Sequence, residues 1–144
     1  MKTILRRLGI VLGVLIALRL VAALFWPTIN DVTTGATPEY PDLHPQVFAQ
    51  PAGQIFDAAT AVARELGWEV TQADRDHGIL QAVATTRLWR FKDDVTVTLA
   101  HKGDQVEVGV RSHSRIGKGD LGANARRIRL FQSELAKKLG GASS

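Results

Sequence analysis

Between Val95 and Val110 apolar and polar side chains alternate in two runs separated by a short polar stretch. Val95, Val97 and Leu99 fall on every second position, and so do Val106, Val108 and Val110. A period of two is that of a β-strand, whose successive side chains point to opposite faces. His101–Asp104 contains Lys-Gly-Asp, a turn signal, so the two runs read as an antiparallel hairpin with one apolar and one polar face. An apolar sheet face must be covered, and this requirement limits the chain to a small set of layered folds. The same alternation puts Arg111 and His113 on the opposite face from Val110 and Ser112.

Two amphipathic segments supply the cover. Ala52–Leu66 carries Ile55, Phe56, Ala59, Val62, Ala63 and Leu66 at helical spacing, with Pro51 in the first turn and Gly67 as the C-terminal stop. Ala123–Leu139 carries Ala125, Ile128, Phe131 and Leu135 on one side and ends at Gly140-Gly141; Asp120 stands where a capping carboxylate helps the chain enter it. Trp68–Ala73 and Ile79–Thr86 read as two further strands joined by the turn Asp74–Gly78. The predicted domain is α+β in the order α-β-β-β-β-α, a four-stranded antiparallel sheet covered by two helices.

Upstream lies Leu8–Trp26, 19 residues with one charge, Arg19. As a helix this run spans roughly 28 Å, close to the hydrocarbon thickness of about 30 Å. It predicts a transmembrane helix with Lys2, Arg6 and Arg7 on the cytoplasmic side, Arg19 snorkelling, Trp26 at the interface and Pro27 as the stop. The alternative is a cleaved secretory signal, for which Val21-Ala22-Ala23 offers a processing site. Either version exports the domain; the anchored one makes it a single-pass bacterial inner-membrane protein with the domain in the periplasm. The expected organisation is a membrane anchor over 1–27, an extended strap over 28–51 containing Pro38, Pro41, Pro45 and Pro51, the α+β domain over 52–140 and a disordered tail over 141–144.

The sequence pI near 9.9 suggests an anionic partner, but Lys2, Arg6, Arg7 and Arg19 account for it. Without them residues 28–144 carry 14 basic and 14 acidic side chains. Residues 28–110 hold 6 basic against 12 acidic, and residues 111–144 hold 8 against 2. Either these halves pair within the fold or the basic end faces an anionic ligand. Domain neutrality and export argue against nucleic acid, although Arg126–Arg129 is a basic run. The chain has no cysteine, which excludes disulfides, thiol nucleophiles and thiolate metal sites. His44, His77, His101 and His113 lack ligand spacing, so neither a metal nor a cofactor is expected.

Arg111–Arg129 runs strand, glycine-rich basic loop, helix, an order that suits an anion site. It is not a phosphate-binding P-loop, because Gly119 follows Gly117-Lys118 where Ser or Thr belongs. Asp93-Asp94 cannot share a proton as a dyad, since neighbours on a strand face opposite ways. No serine lies in a nucleophile elbow.

Four stretches together resemble a known bacterial family. They are Asn30–Gly35, Pro38-Glu39-Tyr40-Pro41, Phe91–Val95 and the pattern Arg111-Ser112, Ser114-Arg115, Gly117, Asp120, Gly122, Asn124-Ala125, Arg127-Ile128. In this order they are similar to the domain of unknown function 1499 family, over roughly Asn30 to Leu139. The resemblance implies a strap packed as part of the domain and no particular reaction. It marks Asp31, Asp93, Asp94, Arg111, Ser112, Ser114, Arg115, Asp120, Asn124 and Arg127 as either one binding surface or a structural ion-pair network. The expectation is a non-catalytic accessory subunit of an inner-membrane complex, with a protein partner or an anionic ligand at Arg115–Gly122. The alternatives are an envelope enzyme using Asp93 or Asp94 as acid or base, and lipid-headgroup binding by the basic C-terminal helix.

Overall fold

The computed structural model describes residues 2–24, 28–87 and 90–141. Helix α1 (Lys2–Leu24) is followed by two short strands, β1 (Asp31–Thr33) and β2 (Gln46–Phe48). Helix α2 (Ala52–Glu65) leads into β3 (Glu69–Asp74), β4 (Ile79–Thr85), β5 (Lys92–Lys102) and β6 (Gln105–Ser114), and helix α3 (Ala123–Leu139) closes the fold. All six strands are antiparallel, in the order β1-β6-β5-β4-β3, with β2 also on β6. Helices α2 and α3 lie together over one face of this sheet.

The sheet has six strands where four were expected. The two additional strands come from the strap. Asp31–Thr33 pairs with Arg111–His113, and Gln46–Phe48 pairs with Val106–Val108, so both occupy one edge of β6. Three residues are too few for a visible alternation, and Pro38, Pro41 and Pro45 lie in the loop between them. Thr34 bridges the two: its N–H donates to the Val110 carbonyl at 3.0 Å, and its hydroxyl accepts from the Val110 N–H at 3.0 Å.

The N-terminal segment is helical, but among the described residues no helix is long and apolar enough to cross a membrane. The expected transmembrane span, and the single-pass inner-membrane location with a periplasmic domain, are therefore not supported. Arg6, Arg7 and Arg19 limit the apolar run: the charge-free stretch Leu8–Leu18 has 11 residues. Such a stretch rises about 16 Å, roughly half the hydrocarbon thickness. Trp26 and Pro27, expected as interface anchor and stop, lie outside the described residues, as do Ala142–Ser144 of the expected tail.

The core lies between the sheet and the two helices. Val95, Val97, Val106, Val108 and Val110 point inward as their alternation requires, against Ile55, Val62, Ile128, Phe131 and Leu135. Phe131 is fully buried and stacks on Trp68 with ring centroids 5.4 Å apart. Burying a side chain of this size contributes about 1.5–3 kcal/mol. The strap adds Val32, Leu43 and Phe48 to the same core. Helix α2 ends as Gly67 predicts: at φ 77° its N–H reaches the Arg64 carbonyl, and the Trp68 N–H reaches that of Ala63. This left-handed exit turns the chain directly into β3.

Candidate functional site

Strand β6 divides the ten polar residues between two sides of the sheet. Ser112 and Ser114 share the parity of Val110 and point inward, whereas Arg111 and Arg115 share the opposite parity and point outward. On β5, Asp93 points inward and Asp94 outward, so the two adjacent carboxylates never meet. The register sets Asp93 beside Ser114 and Asp94 beside His113.

The inward group is a closed polar cluster beneath α3. Asp93 is 2% exposed and Arg127, whose side chain is 11% exposed, pairs with it directly. The Arg127 guanidinium also donates to the Ser112 hydroxyl at 2.8 Å and to the Asn124 amide oxygen at 2.7 Å. Ser112 donates its own proton to that amide oxygen at 2.6 Å. The Asn124 amide nitrogen donates to Ser114 at 2.8 Å and to the Asn30 carbonyl at 3.1 Å. The N-cap of α3 is Gly122 rather than Asp120, but the Asp120 carboxylate reaches the helix start from two residues upstream and accepts from the Gly122 and Asn124 N–H groups at 2.8 and 2.7 Å. A buried polar group is tolerated only when its hydrogen-bonding capacity is met, and this cluster meets it internally.

The outward group consists of two arginine–aspartate pairs across the open face of the sheet. Arg111 grips Asp31 on β1, and Arg115 grips Asp94 on β5, each through its Nε and one terminal nitrogen. Hydrogen bonding from Arg111 holds the Asp31 carboxyl below its ordinary value, and hydrogen bonding from Arg115 does the same for Asp94. His113 lies between them on β6. Among the described residues no three His, Asp or Glu side chains converge as a metal site would require.

The loop joining β6 to α3 is tied at both ends. The Asn30 side chain donates to the Gly117 carbonyl at 2.6 Å, and the Asp120 N–H reaches the Ile29 carbonyl at 3.1 Å. Flanking these ties, Ile116 and Leu121 stand 62% and 58% exposed, on either side of Lys118. Leu121 has φ 51°, an uncommon conformation for a leucine. The structural part played by Asn30 was not foreseen; its place in the Asn30–Gly35 motif was the available signal.

The ten residues therefore form three groups: an inner lattice of Asp93, Ser112, Ser114, Asn124 and Arg127, an outer pair of ion pairs, and Asp120 at the start of α3. Fold and site together define a two-layer α+β domain whose characteristic polar residues bind mainly one another. The chain belongs to the family described as "Protein of unknown function (DUF1499)", whose model matches residues 23–135. Among curated proteins none matches the chain.

Proposed function

We propose that this chain is a non-catalytic binding domain, an accessory subunit of a larger assembly, that docks a partner protein through the loop between β6 and α3. The observation that carries the reading is the pair of solvent-facing apolar side chains Ile116 and Leu121 on a backbone tied to Asn30 and Ile29. Holding a leucine at positive φ costs on the order of 1–3 kcal/mol, and such strain clusters at functional sites. The Leu121 side chain, more than half exposed, adds little packing to offset that cost. Lys118 between them has no carboxylate partner among the described residues, which leaves a charge available to the partner.

The carboxylates speak against catalysis. A general acid or base needs a pKa near the working pH and access to substrate. Asp93 is sealed against Arg127, and Asp94 is both paired and held low by Arg115. Affinity capture of the tagged full chain, alongside Ile116→Asp and Lys118→Ala, tests the proposal. The expected result is a stoichiometric partner with the native chain and its loss with Ile116→Asp. Recovery of the native chain alone, or full retention of the partner by Ile116→Asp, overturns it.

A further inference from the structure

Beside that loop, an open groove of about 550 Å³ lies between the end of α2, the end of β4 and the first turns of α3. Its walls differ in kind. Leu66, Trp68 and Leu130 supply an apolar floor, and Arg87, Arg126 and Arg127 are the basic residues that line it. The charge of Arg127 is already offset by Asp93. Arg126 donates only to the Leu121 carbonyl, at 2.9 Å, and neither it nor Arg87 has a carboxylate partner among the described residues. Both are exposed.

The apolar floor continues along the seam between α2 and α3. Leu66 and Leu130 also line a second hollow of about 200 Å³ with Val62, and its far side is formed by Glu65 and Glu134. The path is thus cationic at one end and apolar beyond it, and its far end is electrically balanced, because Glu65 pairs with Lys138 and Glu134 with Lys137. From Arg126 to Glu134 the axis of α3 rises about 12 Å. Ligand sites are typically concave and mostly apolar, with a few convergent polar groups that fix orientation, and 300–1,000 Å³ is their usual size.

We infer that this groove binds a single-chain anionic amphiphile, its phosphate or carboxylate head between Arg87 and Arg126 and its hydrocarbon chain over Leu66 and Leu130. Two guanidinium groups give an anion charge-assisted hydrogen bonds. The unpaired guanidinium groups lie at only one end of the path, because the carboxylates at the other end are offset by Lys137 and Lys138, and this sets the direction of the ligand. Arg127, held by Asp93, Ser112 and Asn124, forms a fixed wall rather than a mobile clamp.

Octyl phosphate, titrated calorimetrically below its micellar range into the full chain, is the probe. Octyl glucoside, octyltrimethylammonium and inorganic phosphate serve as comparators. Saturable binding of octyl phosphate is expected, with each comparator at least about tenfold weaker. Arg87→Ala and Arg126→Ala are each expected to weaken it about tenfold, and Leu130→Asp to abolish it. Ile116→Asp, in the docking loop, is expected to leave it unchanged, so failure of this inference and failure of the proposed docking are separable. Binding of octyl glucoside as tight as that of octyl phosphate overturns the ionic part of the inference, and equal binding of inorganic phosphate overturns the apolar part. Binding untouched by Arg87→Ala and Arg126→Ala, in variants whose thermal unfolding matches the native chain, places any amphiphile elsewhere and overturns the whole.

Discussion

Taking Asp93 and Arg127 out of water costs several kcal/mol per ion, and their attraction offsets that only when the remaining hydrogen bonds are met. Ser112 and Asn124 meet those of Arg127, so the pair is tolerable while complete. Arg127→Met leaves Asp93 buried without a counter-charge and is expected to destabilise the domain by about 3–5 kcal/mol. Asp93→Leu combined with Arg127→Met removes both charges and is expected to recover most of that loss. Urea midpoints of the three proteins decide the matter; a double variant no more stable than Arg127→Met would show that the pair is not what the lattice depends on. Part of this was legible in the sequence. Strand parity alone separates Asp93 from Asp94 and Ser112 from Arg111. Which aspartate is buried was not legible, because that depends on Arg127 arriving from α3, 34 positions later.

At the scale of the element, the outer ion pairs act as cross-strand clips. β1 is only three residues long and is joined to β6 by Asp31–Arg111; Asp94–Arg115 joins β5 to β6. Both carboxyls lie below 3.8, their ordinary value, in the folded chain. A group with a lowered folded pKa stabilises the fold at pH values above its unfolded value and loses that contribution as the pH falls through the folded one. The contribution is therefore complete at neutral pH and is lost below about pH 4. Both pairs are more than a third exposed, so solvent screening holds each to about 0.2–1 kcal/mol. Asp31→Asn with Asp94→Asn is expected to be slightly less stable than the native chain at pH 7 and to approach it at pH 3. Thermal melts at the two pH values measure this, and a constant difference would remove the clips from the account. The same short strands explain why the edge of the sheet was misjudged: the hairpin and both domain helices follow from periodicity, whereas three-residue strands depend on an edge that periodicity does not reveal. The N-terminal span failed for the converse reason, a compositional run being credited with a length that Arg19 interrupts.

Across the whole molecule, the charge asymmetry is resolved mainly by pairing between its halves. Arg111, Arg115, Arg127, Arg129 and Lys138 from the basic end meet Asp31, Asp94, Asp93, Asp42 and Glu65 from the acidic part. Two of these contacts bind the strap, and they run alongside further ties: Gln46 and Gln50 donate to the Gln132 and Leu139 carbonyls of α3, and Arg129 also sits 5.5 Å from the Tyr40 ring centroid. The strap is thus a wall of the core rather than a spacer, as Phe48, fully buried on β2, makes plain. Phe48→Ala is expected to cost about 3–5 kcal/mol through lost burial and the cavity left behind. A strap that only spaced the domain would predict a loss within about 0.5 kcal/mol, the range of ordinary surface substitutions. Because β2 covers part of the β6 edge, the loss should also expose the Val106–Val108 backbone. Hydrogen exchange should then quicken there before it does in the β4–β5 ladder. Denaturant unfolding with residue-resolved exchange measures both effects. A large stability loss with uniform exchange would mean that the strap and sheet unfold as one unit, and a small loss would return the strap to the role of linker.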